Sequence, residues 1–377
     1  MEEQYFLKRV KTARDRLNSK KLECIIVFGD ENICYLTGFM GKDSGSILVL
    51  AQDKIYLLVH FIYGEEARNS VKTPGIEVIS YIADRDEKLA SIISSVKSRH
   101  AGIESNTLKY TDFTKLKNLL YRTGKKTKNL AGFVEKQREI KDQLEIKKIK
   151  SACRIINDVL KSVYELNFEK ISQFTETGLS LYLESLMIKK SSPGRSFDLI
   201  VAGGKSSSLP HYVPKNNKIK PGPLLFDVGC IYENYCSDIT RTVFCLEDSI
   251  KSQNKSIVEF TRIYDIVLQA QLAAVRACRA GMLSSDLDRV AREYIESKGY
   301  GRNFGHGLGH GAGLEVHEGP RVSFTSKQRL EENMVITIEP GIYIEGFGGV
   351  RIEDMVIVKK KGCEVLYDVT KNFTVID

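Results

Sequence analysis

Four carboxylates interrupt the most apolar, strand-like runs of this chain: Asp227 in LLFDVGC, Asp238 in CSDITRTVF, Glu339 in MVITIEPGIYI and Glu353 in GVRIEDMVIV. An unpaired carboxylate buried in such a run is very costly, so each has to be paired, protonated or bound to a cation. The fold must therefore bring these strands to common partners. Histidine supplies candidates: four of the six, His211, His306, His310 and His317, lie in the same part of the chain, and three of them fall within twelve residues.

The two aspartates permit a geometric expectation. Tyr232-Glu233-Asn234-Tyr235 fits a two-residue hairpin, because Asn tolerates the left-handed conformation such turns need. That register pairs Asp227 with Thr240 and Gly229 with Asp238. Asp227 and Asp238 then share a face as diagonal neighbours, about 7 to 8 Å apart at the backbone. Two like charges that close call for cations between them; Gly229 is expected to leave the room, and Thr240 to hydrogen-bond Asp227 from behind. Cys236 falls on the same face, where a small core filler is the simpler expectation than a thiolate ligand. Adding His310, Glu339 and Glu353 gives four carboxylates and one imidazole. Their charge matches two divalent ions, and mostly oxygen donors suit Mn, Co, Fe or Zn sharing carboxylates. Two metals about 3.5 to 4 Å apart can hold a water and polarise a carbonyl, which is the equipment for hydrolysis.

The rest of the chain reads as α/β. Short runs rich in Ile and Val over 24–28, 46–50, 55–60 and 76–81 predict strands, and apolar residues at three- and four-residue spacing over 4–17, 63–71 and 87–97 predict helices between them. At 377 residues two domains are expected, 1–135 and 136–377. The second opens on a strong helical pattern over 141–166, with further helices over 178–188, 255–280 and 285–298. The formal charge of +8 is concentrated in the stretch 121–150, which carries 10 basic and 4 acidic residues. With Phe133 the single aromatic between its lysines, it predicts a solvated connector and no nucleic-acid partner. No apolar run is long enough for a membrane span, the amino terminus lacks a signal-peptide core, and eight scattered cysteines without a C-x-x-C pair predict reduced thiols. A cytoplasmic protein without membrane contact is expected.

Three local motifs fail on their own terms. Gly203-Gly204-Lys205-Ser206 resembles the end of a phosphate-binding loop, but position 199 is Leu where that loop needs Gly. The glycines 305, 307, 309, 311 and 313 alternate and never spell G-x-G-x-x-G. His317-Glu318 begins an H-E-x-x-H motif that Arg321 ends.

Taken in order, FDVGCIYENYCSDITRT, FGHGLGHGAGLEVHEGP, ITIEPGIY and VRIEDMVIV resemble the metal-site motifs of the Xaa-Pro peptidases, prolidase and aminopeptidase P, of the creatinase/methionine aminopeptidase "pita-bread" superfamily, peptidase family M24. SLPHYVP around His211 and NICYLTGF at 32–39 resemble further landmarks, so the similarity spans nearly the whole chain. It implies a creatinase-like α/β domain followed by a catalytic domain with a curved antiparallel sheet, a homodimer, and hydrolysis of the bond before proline in a peptide substrate. It also implies that Asp227 holds one metal, that His310 and Glu339 hold the other, and that Asp238 and Glu353 bridge both. Glu339 would take part in proton transfer from the attacking water. His211 and His317 would hydrogen-bond the scissile carbonyl or substrate backbone, His306 would shape the proline pocket, and Arg351 would meet the substrate carboxylate, with Arg321 as a second candidate. Asn234 and Tyr212 stand where the family usually or often has Gly, and Lys205 where a small or polar residue is common; the last two are expected to narrow the substrate mouth. The superfamily also contains metal-free creatinases and inert binding modules, but all five ligand types are present here. Methionine aminopeptidases generally lack a domain like 1–135. Dipeptidase and aminopeptidase share every one of these motifs, so both stay open.

Overall fold

The alternation of β-branched runs with amphipathic stretches resolves, in a computed structural model that describes residues 2–97, 99–247 and 255–377, into two units, Met1–Arg138 and Glu139–Asp377. The first is built on a six-stranded sheet in the order Ile76–Tyr81, Ile55–His60, Ile47–Ala51, Cys24–Val27, His100–Ile103, Lys126–Asn129. The three strands from Cys24 to His60 pair antiparallel, and the outer pairings are parallel. Parallel neighbours need crossovers, and the helices Gly64–Ser70 and Tyr110–Arg122 supply two of them. Cys24–Val27 and Ile47–Ala51 are buried along their whole length, which is why they read as unbroken apolar runs.

The basic stretch is not a connector. It contributes the end of the Tyr110–Arg122 helix, the edge strand Lys126–Asn129, the short helix Glu135–Arg138 and the start of Gln143–Tyr164. Arg138 and Lys141 within it are buried. Its lysines at the sheet edge do what edge charges commonly do, which is to discourage pairing with another chain.

In the second unit, Asp142 and Glu145 close a capping box at the start of Gln143–Tyr164: each side chain accepts the other's backbone N–H. A four-stranded sheet runs Val375–Ile376, Ile239–Cys245, Gly222–Val228, Ile200–Gly203, and a five-stranded one runs Glu318–Val322, Gly309–Gly311, Val335–Ile338, Asp354–Val358, Cys363–Val365. Every pairing is antiparallel except that of Val375–Ile376 with Ile239–Cys245. The helices Lys255–Ala277 and Ser284–Ser297 cover one side; Phe260, Val267, Leu287, Ala291 and Ile295 form a single core with Ile336, Ile338, Val356 and Val358. Among the described residues no helix is long and apolar enough to cross a membrane.

The hairpin register is the expected one. Tyr235 pairs with Tyr232 and Thr240 with Asp227, and Glu233 and Asn234 both take positive φ, 44° and 71°, as a two-residue turn demands. Gly229 differs from expectation. A Cβ there would lie 2.0 Å from the Ser237 carbonyl oxygen and 2.3 Å from Ser196 Oγ, so glycine is required by close backbone approach and not to make room for a cation.

Candidate metal centre

The segment that leads into Asp354–Val358 docks on the four-stranded sheet, where Glu353 N–H donates to Thr240 O at 3.1 Å and Arg351 N–H to Thr242 Oγ1 at 3.2 Å. That junction sets the carboxylates of 227, 238, 339 and 353 around one volume. His310 joins them from the Gly309–Gly311 strand, which wedges between two neighbours: a Cβ on Gly309 would meet Thr337 O at 2.1 Å, and one on Gly311 would meet Gly319 O at 2.0 Å. The alternating glycines thus have a steric reason, and His310 is the one side chain that strand presents. Its Nδ1 lies 3.1 Å from Gly311 O. With that nitrogen donating, Nε2 faces Glu339 Oε1 at 3.3 Å and Asp238 Oδ2 at 3.6 Å.

Single ligand atoms of Asp238, His310 and Glu353 all lie within 4.8 Å of one another. Burial, reinforced by the neighbouring acids, pushes the carboxyls of Asp238 and Glu353 well up, and burial raises Asp227 as well. Burial also works against ionisation of Glu339, but the adjacent His310 overrides it and holds the carboxyl down at about 2. Asp227 Oδ1 and Glu353 Oε1 are buried with no hydrogen-bond partner. Orphaned carboxylate oxygens aimed into a cluster of acids are what a divalent cation would satisfy, so the residues fit the metal that the sequence implied. The neighbouring acid Asp354 is a contrast. Its oxygens accept from Arg241 Nη2 (2.7 Å), Lys371 Nζ (2.6 Å) and Gln271 Nε2 (2.9 Å), leaving it nothing to offer an ion.

One cavity of about 810 Å³ is lined by all five of these residues and by His211, His306, His317, Arg351 and Arg321. Two expected contacts are replaced by others. Thr240 Oγ1 donates to Glu353 Oε2 at 2.6 Å instead of to Asp227. Arg351 is buried and fully engaged: Nη2 donates to Asp227 Oδ2 (2.5 Å), Nη1 to Tyr343 OH (2.8 Å) and Nε to Thr240 Oγ1 (3.0 Å). It has no fork left for a substrate carboxylate. Arg321 makes no ion pair or hydrogen bond among the described residues and is exposed on the cavity wall. Cys236 is buried, with Sγ 3.6 Å from Leu314 O and outside the cavity lining, as a core filler would be.

Three supporting groups had escaped the sequence. Tyr343 OH lies 3.0 Å from His306 Nε2 as well as accepting from Arg351. Thr337 Oγ1 donates to Glu339 Oε1 and accepts from His310 N–H, both at 3.0 Å. Asp288 and Arg292 form a two-bonded pair that grips the histidine loop through Leu308 N–H, Phe304 O and His306 O. Position in ITIEPGIY was the available signal for the first two; the third had none. His317 stacks edge-on against His310 at 4.3 Å, and burial, then the His310 charge, lowers its pKa.

The comparisons with known proteins agree with this centre. Residues 147–360 match the model of metallopeptidase family M24, and residues 9–140 that of the creatinase/prolidase N-terminal domain. The chain belongs to metallopeptidase family M24 and is a peptidase with the two-domain pita-bread architecture. It is 35% identical over 360 residues to an Xaa-Pro dipeptidase of Pyrococcus horikoshii, covering 95% of this chain and 96% of that one. Its structure is similar to that of an X-Pro aminopeptidase from Thermotoga maritima (TM-score 0.86, 33% identity, 97% and 99% covered) and of an Xaa-Pro dipeptidase from Bacillus anthracis (TM-score 0.87, 33% identity, 98% and 99% covered).

Proposed function

We propose that this peptidase is a dinuclear Xaa-Pro dipeptidase. The orphaned oxygens of Asp227 and Glu353 carry the metal half of this proposal, since each is a buried carboxylate oxygen without a partner on the same cavity. Asp227, Asp238, His310, Glu339 and Glu353 would hold the ions. Divalent ions bound there lower the pKa of a water toward ~7 and polarise a carbonyl. Glu339, kept ionised beside His310, accepts the proton of the attacking water. His211 and His317 donate to the scissile carbonyl oxygen as negative charge develops on it. His306, with Phe197, Leu199 and Ile200 on the cavity wall, receives the proline ring.

The dipeptidase half rests on Arg321. An unpaired guanidinium on the wall of the cavity is placed to take the terminal carboxylate of a dipeptide, with the two parallel hydrogen bonds this pairing favours. The test is hydrolysis of Ala-Pro, Ala-Pro-amide and Ala-Pro-Ala with Mn or Co added. Ala-Pro is expected to be best, and Arg321→Ala should raise its KM by about tenfold or more while leaving the amide unaffected. Equal turnover of the tripeptide would make the chain an aminopeptidase, and no turnover of any of the three would make it a binding module on the same fold.

A further inference from the structure

His211, unlike the five candidate metal ligands, has no visible means of staying in the site. Its side chain is exposed, and among the described residues its ring makes no hydrogen bond. An unconstrained segment would have to be ordered, at a cost in conformational entropy, each time the ring was needed. The flanking residues are, however, firmly held. Pro210 O accepts from Arg351 Nη1 at 3.4 Å, and Tyr212 N–H closes a turn onto Leu209 O at 3.2 Å.

The stronger hold comes from Glu176, the first residue of the helix Glu176–Lys189, whose side chain is buried. Its Oε2 accepts from Tyr212 OH at 2.7 Å and from Lys215 N–H at 3.3 Å, and its Oε1 from Gly203 N–H at 2.9 Å. One carboxylate thereby ties both ends of the 203–215 segment to the helix. The Tyr212 ring is itself buried with Ile200, Ala202 and Leu225. Thr177 reinforces the same junction by bonding Pro214 O and Lys215 O. Tyr212, expected to narrow the mouth, does line the cavity, and its hydroxyl is committed to Glu176.

We infer that the Glu176–Tyr212 hydrogen bond is a latch that positions His211 over the cavity, so that Tyr212 and Glu176 are positioning residues for the reaction proposed above, on which this inference rests. Tyr212→Phe removes only the hydroxyl and keeps the packed ring, and is therefore the informative variant. It is expected to lower kcat on Ala-Pro by about tenfold with KM within twofold, and to leave bound metal unchanged. In a His211→Ala background the same change should alter kcat by less than twofold, because the group being positioned is already gone. Hydrogen exchange supplies a readout independent of turnover: the amides of 209–215 should exchange at least tenfold faster in Tyr212→Phe, with the rest of the chain unaffected. Unchanged exchange overturns the latch whatever the kinetics. Faster exchange with equal kcat losses in both backgrounds overturns the link to His211. A wild-type chain that hydrolyses no Xaa-Pro peptide, yet shows the exchange difference, overturns the proposed reaction and with it the catalytic purpose of the latch, while the latch itself stands.

Discussion

Arg351 and Asp227 sit 124 residues apart in sequence and 2.5 Å apart in space, both on the cavity that carries the candidate ligands. Arg351 is held by its partners in a strongly charged state: burial opposes the charge, and Tyr343, Asp227 and Glu339 overcome it. The guanidinium spends three nitrogens on three different groups, so its role is to hold Asp227, Tyr343 and Thr240 in register around the centre.

An ammonium group cannot reproduce that geometry. Arg351→Lys is expected to lose at least one hydrogen bond to a charged partner, worth about 1.5 to 3 kcal/mol, or roughly ten- to hundredfold. Since no substrate carboxylate is involved, kcat/KM should fall by the same factor on Ala-Pro and on Ala-Pro-amide. A loss confined to the free dipeptide would return Arg351 to the substrate.

Asp238 approaches His310, and its carboxyl is pushed well up by burial first and then by the crowding of Glu353, Asp227 and Glu339. Asp238→Asn leaves three carboxylates for four positive charges. Metal content by elemental analysis should drop below two ions per chain, with an activity loss beyond the ~10- to 100-fold that an outer-shell substitution costs. Retention of two tightly bound ions and near-normal turnover would remove Asp238 from the ligand set.

How much of this was legible follows from the range of the interactions. The Asp227–Thr240 pairing could be written down from the chain because a hairpin's register depends only on its own turn. Charged residues in apolar runs announced the four candidate carboxylate ligands, since burial without compensation is very costly. Thr240 was placed behind the wrong carboxylate because its real partner, Glu353, lies 113 residues away in the link before Asp354–Val358, and no local period encodes where that link docks. Gly229 was misread because Ser237, in its own hairpin, and Ser196, from outside it, crowd the position that was expected to be open. The lysines of 121–150 suggested solvent, yet Lys141 is buried against Glu318 at 2.5 Å, a pairing across 177 residues.

His317 lies against His310 but makes no hydrogen bond to it, and the four carboxylates already balance two ions. His317→Ala should therefore lower kcat by ~100- to 1,000-fold, the usual loss for one oxyanion donor. Bound metal and melting temperature should change little. A variant that loses an ion would show His317 to be a ligand, and one with unchanged turnover would show it to be a packing residue.

Glu104, in the first unit, gives a prediction about stability that does not involve the metal centre. The residue is fully buried; Oε1 accepts from Asn106 N–H at 3.2 Å and Gly132 N–H at 3.1 Å, while Oε2 has no partner. Burial, and then the like charge of Glu135, raise its pKa to about 7 from an ordinary value of 4.5. The folded chain therefore binds more protons than the unfolded chain between those two values, and the unfolding free energy falls as pH rises through that window. The stability that protonation provides is fully present below about pH 4.5 and is gone once the pH passes 7. Glu104→Gln keeps an acceptor for both amides and removes the charge. Its melting temperature should match that of the wild type near pH 4.5 and exceed it increasingly toward pH 8. Parallel curves across that range would mean that Glu104 is ionised in the folded protein at both ends, and that the two backbone donors outweigh its burial.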